Sequence, residues 1–236
     1  MELRTVILYR SRHHGNTKKL IDAIVERHPD IDLIDVAQLG KREYPDLSSY
    51  HIICLASGIY YNHLDKDLLR VAQECLRDGD NVIALMTYGG ENKWYVKEID
   101  GICRVKMATL VTAHGCPGFD TWGPFKLVGG VNKGRPNDED VEAAVAWFDR
   151  LYNEYGQIFI DERKKRDARD RFNAAHPTGG LMADLKHTVN KMTGKVKKAP
   201  LRQAEAGQAP AGDQAAPTPE APDAAGAADA DAAARE

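Results

Sequence analysis

Short apolar runs alternate with segments of helical periodicity through the first 160 residues of the chain. Two of these runs, at 51–57 and 81–87, contain no Asp, Glu, Lys or Arg, which is typical of parallel strands covered on both faces. The five predicted strands are residues 3–9, 31–36, 51–57, 81–87 and 106–113. Because helical segments separate them, we expect a doubly wound α/β sheet.

Four helices are predicted between and after these strands. The first opens at Asn16 and Thr17, and others follow from about residue 65 and near 94–103. The last helix begins at Asn137, a favourable N-cap that precedes three acidic residues. Its predicted buried stripe consists of Val141, Val145, Phe148, Tyr152, Tyr155 and Phe159. The charged segment 161–171 is expected to extend this helix into solvent.

Composition divides the chain into three parts. Residues 199–236 contain 16 Ala, 5 Pro and no aromatic side chain, so we expect a disordered tail. Residues 161–198 carry 11 basic and 5 acidic side chains, and an apolar stripe runs from Leu181 to Met192. This basic segment is expected to be a helical extension that packs on its own domain or a second subunit, or docks on a membrane surface or an acidic partner. Residues 1–160 form the predicted globular domain.

Charge and cysteine usage exclude several classes of function. The net charge is −3 and the 1–160 part is mildly acidic, which argues against a nucleic-acid binder. The four cysteines form no CxxC pair, so neither a structural zinc site nor a disulfide framework is indicated. No apolar run reaches the roughly 18 residues of a membrane span, and no signal peptide is visible. We therefore expect a cytoplasmic protein without a bound metal.

The loop after the first predicted strand, residues 10–16, has the composition of an anion site. Ser11 and the run Gly15-Asn16-Thr17 place hydroxyl and amide groups beside the free N–H groups of a helix start, which favours phosphate binding. A capped turn without a ligand is the alternative, since Asn and Thr are ordinary N-caps. Neither GxGxxG nor GxxxxGK[ST] is present.

Several segments together resemble flavodoxins, the small electron carriers that bind FMN. Tyr9-x-Ser11 followed by Gly15-Asn16-Thr17 resembles the phosphate loop of that family, with one more residue between Ser11 and Gly15 than is typical. Residues 56–61 and 87–90 fall where the two loops that flank the flavin are expected. Residues 116–124 and 129–136 are similar to the end of a group of single-domain bacterial members. The resemblance covers about residues 1–155 and implies a flavodoxin-like sheet of order 2-1-3-4-5.

The resemblance also implies where FMN would bind. The phosphate would lie against residues 11–17, and the ring would lie between the 58–61 and 87–90 loops, with tyrosines in apolar contact and glycine amides as donors. Gly58 is the position where a peptide faces flavin N5. The implied cofactor-binding residues are Ser11, His13, Gly15, Asn16, Thr17, Ser57, Gly58, Ile59, Tyr60, Tyr61, Thr87, Tyr88, Gly89 and Gly90.

Two further groups have both a functional and a structural interpretation. The first is an aromatic cluster that consists of Phe119, Trp122 and Phe125. It would either cover the flavin or a partner site, or pack as a flap over the sheet edge. Cys116 near His114 would be a reactive thiol only if its pKa were low, and a structural cysteine is favoured.

Three functions remain in competition at this point. The first is an FMN-binding electron carrier that serves a redox partner protein, with a homodimer as one option for its assembly. The second is an FMN-dependent reductase or oxidase acting on a quinone, a porphyrinogen or another small acceptor. The third is a phospho-receiver domain, which requires acidic clusters after the first and third strands. In this sequence those positions are residues 10–12 and 57–58, which contain no acidic side chain.

Overall fold

The computed structural model describes residues 2–92 and 94–176. The strands are β1 (Thr5–Arg10), β2 (Asp32–Asp35), β3 (Ile52–Gly58), β4 (Asn81–Tyr88) and β5 (Thr109–Pro117). The helices are α1 (Asn16–Arg27), α2 (Lys66–Cys75), α3 (Tyr95–Lys106) and α4 (Asp138–Ala175), with a short 3-10 helix at Gly123–Val128. The predicted disordered tail at 199–236 and the apolar stripe from Leu181 to Met192 lie outside the described residues.

The five strands form one parallel sheet in the order β2-β1-β3-β4-β5, as predicted. Every residue of β3 is buried, and so is every residue of β4 except Tyr88, which confirms that both faces of the central strands are covered. The fifth strand was predicted too early, at 106–113. Met107 takes a left-handed conformation (φ 58°) that ends α3, and the strand begins only at Thr109.

Hydrophobic side chains form a separate core on each face of the sheet. One core joins β1, through Val6 and Leu8, to α2 and α3. The other joins β1, through Ile7, to α1 and α4. This alternation is the period of two expected for a strand buried on both sides.

The helix starts follow the local capping signals. Asp65 caps α2, with its carboxylate accepting from the N–H groups of Asp67 and Leu68. Asn137 and Asp140 form a reciprocal capping box at the start of α4, which confirms the predicted N-cap.

The buried face of α4 differs from the predicted stripe. Phe148 and Phe159 are buried as expected, but Tyr155 is 39% exposed. The positions next to the predicted ones, Trp147 and Leu151, are buried instead. The predicted positions average 3.6 residues per turn and so follow one face of the helix, but the buried face is centred to one side of it, on Trp147 and Leu151.

The helix α4 continues unbroken through residue 160 and remains attached to the domain beyond it. The guanidinium of Arg163 donates to the carbonyl of Tyr50 at 2.8 Å, and Arg166 forms an ion pair with Asp80. Arg169 pairs with Asp78 at 2.8 Å. The expectation that 161–171 projects into solvent is therefore wrong for this face of the helix, because its arginines fasten the loops that precede β3 and β4.

Among residues 2–92 and 94–176, none of the helices combines the length and the apolarity that a membrane span requires.

Candidate functional site

A cleft lies at the carboxyl ends of the strands, where the strand order reverses between β1 and β3. It encloses about 620 Å³ of space that is partly open to solvent. Residues from the loops after β1, β3, β4 and β5 line it. They are His13, Asn16, Thr17, Gly58, Ile59, Tyr60, Tyr61, Thr87, Tyr88, Gly89, Gly118, Phe119, Asp120 and Trp122.

The loop before α1 presents a run of free backbone donors, and we call residues 13–18 the donor loop. None of its six N–H groups has a hydrogen-bond partner in the described part of the chain. No side chain caps α1, and the left-handed residues His14 (φ 55°) and Gly15 (φ 67°) turn the chain into the helix. Unpaired N–H groups at the positive end of a helix dipole are suited to an anion.

The basic side chains around the donor loop are already engaged with other groups. Arg12 forms an ion pair with Asp65, whose side chain is only 2% exposed. Lys18 pairs with Asp22, and Lys19 donates to the carbonyl of Pro136 at 2.9 Å. The positive character of this end of the cleft therefore comes mainly from the N–H groups and the helix dipole.

Two polar contacts connect the start of α1 to the rest of the cleft. The hydroxyl oxygens of Thr17 and Thr87 lie 2.9 Å apart, and both side chains are buried. The amide of Asn16 donates to the carbonyl of Phe119 at 2.8 Å. Asn16 therefore holds the loop after β5 against the donor loop with one of the two hydrogens of its side-chain amide.

Tyrosine rings form the walls of the cleft. The Tyr60 hydroxyl accepts from the N–H of Arg12 at 2.8 Å, and the His13 ring meets the Tyr60 ring edge-on at 5.5 Å. Tyr88 packs near Tyr95, with ring centroids 5.9 Å apart. Burial raises the pKa of Tyr60, and it raises the pKa of Tyr88 to about 12, so both phenols are neutral at physiological pH.

The mouth of the cleft is apolar and exposed. The rings of Tyr61 and Trp122 meet edge-on at 5.0 Å, and they come from the loops after β3 and β5 respectively. Tyr61 is 73% exposed and Trp122 is 54% exposed. Tyr61 also has a positive φ of 52°, which is unusual for a side chain of this size and aims it outward.

The loop after β5 supplies two lining residues that sequence reasoning did not single out, Gly118 and Asp120. The base of this loop is closed by two backbone hydrogen bonds between Asp120 and Val131. The Asn132 amide donates to the carbonyls of Gly89 (2.7 Å) and Gly118 (3.3 Å), which joins this loop to the β4 loop. The sequence signals that pointed to this loop were its aromatic cluster and the resemblance of residues 116–124 to flavodoxins.

The predicted aromatic cluster is divided by the structure. Phe119 and Trp122 line the cleft, and the His14 ring packs on the Phe119 ring at 4.4 Å. Phe125 does not line it and is 37% exposed in the 3-10 helix.

Ten of the fourteen predicted site residues line the cleft. Ser11, Gly15, Ser57 and Gly90 do not. Ser57 is fully buried; its hydroxyl donates to the Gly58 carbonyl at 2.6 Å and accepts from the N–H of Asp65. Gly15 instead lines a smaller neighbouring hollow with Lys19 and Arg135.

Cys116 and His114 lie away from the cleft. Cys116 is buried, and burial raises the pKa of its thiol to about 12, so it is not a reactive thiolate. The His114 ring stacks on Trp147 at 5.4 Å. The structural interpretation of this pair therefore holds.

Sequence comparisons found a matching family model and a similar protein. A family model described as a flavodoxin domain matches residues 6–110. A protein of Methanocaldococcus jannaschii, described as the uncharacterized protein MJ0298, is 30% identical over 146 residues, which are 60% of this chain and 93% of that protein.

Solved structures of similar fold include a flavodoxin from the domain Archaea (16% identity, TM-score 0.41, 69% of this chain and 98% of that one). Another is oxidised Flavodoxin 1 from Bacillus cereus (16% identity, TM-score 0.42, 67% and 97%). The family model spans β1 to β4 and ends at Leu110 in β5, and the relative at 30% identity is matched over nearly its whole length. This chain belongs to the flavodoxin family.

Proposed function

We propose that this chain binds FMN in the cleft and transfers electrons through it. The observation that carries the proposal is the donor loop, with six consecutive N–H groups that have no partner within the described residues. A phosphate dianion accepts several hydrogen bonds and is favoured at a helix N-terminus. The charged end of FMN therefore fits this end of the cleft.

The rest of the cleft fits a flat, largely apolar ring with polar edges. Tyr60, Tyr61, Tyr88 and Trp122 supply aromatic surface from three different loops. The N–H group of Gly89, which lines the cleft, has no partner in the described chain, so it is available to a carbonyl oxygen on a ring edge. When bound, FMN supplies the redox chemistry, since it accepts and donates one or two electrons.

The protein's own residues bind and orient the cofactor. Neutral phenols at Tyr60 and Tyr88 place no charge against the ring. Ser57 fixes the Gly58 carbonyl by a hydrogen bond inside the protein, so that peptide is oriented before any ligand binds. The Gly58 peptide can therefore turn only after the Ser57 hydroxyl has released the Gly58 carbonyl.

The exposed mouth favours a redox partner protein over a buried small substrate. Tyr61 and Trp122 together present aromatic surface to solvent at the edge of the cleft. Exposed apolar surface at a binding site is typical of contact with another protein. This observation supports a carrier, whereas an enzyme acting on a small acceptor would enclose its substrate.

Three measurements on the purified protein test the proposal. The first is the visible absorbance spectrum, and the second is chromatographic identification of the released cofactor, which we expect to be FMN. The third is anaerobic reduction followed by reoxidation with a one-electron acceptor such as ferricyanide, which we expect to be complete and repeatable. A protein that neither contains flavin nor takes up added FMN would refute the proposal.

A further inference from the structure

Asp120 supplies the one carboxylate among the residues that line the cleft. The other lining side chains are not acidic, and one histidine, His13, lies at the donor-loop end. The cleft thus has unpaired hydrogen-bond donors in the donor loop and a carboxylate acceptor in the loop after β5. A ligand that matches this arrangement carries an anion at one end and an N–H donor elsewhere.

The two carboxylate oxygens of Asp120 have different roles. Oδ1 accepts from the N–H of Trp122 at 2.8 Å, which fixes the orientation of the carboxylate. Oδ2 has no hydrogen-bond partner among residues 2–92 and 94–176, and it fills the space that a Cβ on Gly89 would need. Oδ2 is therefore held at the β4 loop as a free acceptor.

The residue at position 89 makes this placement possible. Any side chain there would collide with Asp120, because an added Cβ would also lie 3.2 Å from both Cβ and Cγ of Asp120. Asn132 holds the two loops together through the carbonyls of Gly89 and Gly118. The position of the acceptor therefore depends on contacts from three segments and not on one flexible loop.

We propose that Asp120 is a specificity-determining residue that accepts a hydrogen bond from the imide N–H of the flavin ring. The inference rests on the proposed binding of FMN. The isoalloxazine ring has a single N–H group in its oxidised form, the imide at N3, which lies between two carbonyls. A free carboxylate oxygen is the strongest acceptor a protein can offer such a donor, and hydrogen bonds to charged groups contribute more than neutral ones.

One substitution, Asp120→Asn, replaces the acceptor at the Oδ2 position with a donor. In Asp120→Asn the Trp122 N–H still requires an acceptor, so the amide oxygen stays at the Oδ1 position. The amide NH₂ group then takes the place of Oδ2, so the imide N–H of the flavin faces a second donor and has no acceptor there. Glu91→Gln is the matched control, because Glu91 is an exposed carboxylate in the adjacent loop that does not line the cleft.

The experiment measures the dissociation constants of FMN and 3-methyl-FMN for the wild-type apoprotein and for both variants. We expect wild type and Glu91→Gln to bind FMN at least about tenfold more tightly than 3-methyl-FMN. In Asp120→Asn we expect this preference to fall to about threefold or less. Because the two dissociation constants are compared within one protein, a general loss of stability in a variant affects both and does not change their ratio.

Two results would overturn the inference while the proposed function survives. One is equal binding of FMN and 3-methyl-FMN by wild type, which would show that the N–H is not recognised. The other is an unchanged preference in Asp120→Asn, which would mean that the methyl group clashes elsewhere. Failure of wild type to bind FMN at all would refute the proposed function together with this inference.

Discussion

The hydroxyl groups of Thr17 and Thr87 lie 2.9 Å apart and connect the first turn of α1 to the end of β4. Both side chains are buried, with exposures of 1% and 4%. One hydroxyl donates to the other, and the second hydroxyl keeps a hydrogen that it can donate elsewhere. This pair holds the donor loop in place over the sheet.

Thr17→Val should lower the free energy of unfolding by about 1–2 kcal/mol, because it keeps the shape of the side chain and leaves the Thr87 hydroxyl buried without a partner. Denaturation in urea measures the change. The double variant Thr17→Val/Thr87→Val serves as the control, since it removes both hydroxyls. Its loss should be smaller than the sum of the two single losses, and strictly additive losses would show that the two hydroxyls do not interact.

The positions of the strands were predictable because each apolar run carries its own signal, whereas their order followed from the resemblance to flavodoxins. The buried character of β3 and β4 and the caps at Asp65 and Asn137 depend on residues close in sequence. The donor loop was predictable for the same reason, since Gly15 and the helix start are adjacent.

The position of Asp120 in the cleft was not predictable from local pattern. Asp120 reaches the cleft because of its bridge to Val131 and because Asn16 and Asn132 hold this loop against distant segments. Such contacts join residues that are far apart in the chain and leave no periodic signal. The same holds for Ser57, whose type suggests a ligand contact but whose hydroxyl is used inside the protein.

The distal half of α4 is expected to stabilise the domain. Arg166→Met should lower the free energy of unfolding by about 3 kcal/mol, because it leaves the buried carboxylate of Asp80 without its counter-charge. Arg104→Met removes a pairing with Asp100 on the surface and should change stability very little. Thermal and urea denaturation measure the stability of both variants. Equal losses of stability in Arg166→Met and Arg104→Met would mean that the ion pair between Arg166 and Asp80 does not stabilise the domain.

Stability should fall as the pH drops below about 6.5. Burial lowers the pKa of His51 and of His114 from the ordinary value of 6.5, so the folded state resists protonation while the unfolded state takes up the proton. Each histidine therefore contributes stability that is complete above pH 6.5 and is lost between that pH and its lowered folded value.

His114→Phe keeps the stacking on Trp147 and removes one titrating group, so the fall in stability below pH 6.5 should become shallower. The free energy of unfolding measured by urea at a series of pH values provides the test. A slope unaffected by His114→Phe would show that His114 titrates alike in both states.

The most direct test of the central claim is calorimetric titration of the apoprotein with FMN and with riboflavin. If the donor loop binds the phosphate, FMN should bind on the order of a hundredfold more tightly, and this ratio should fall in Gly15→Ala, where a left-handed glycine is lost. Gly129→Ala, at another left-handed glycine that lines neither the cleft nor the neighbouring hollow and meets only the flexible end of Lys133, should keep the wild-type ratio. Equal affinities of wild type for FMN and riboflavin would contradict the account.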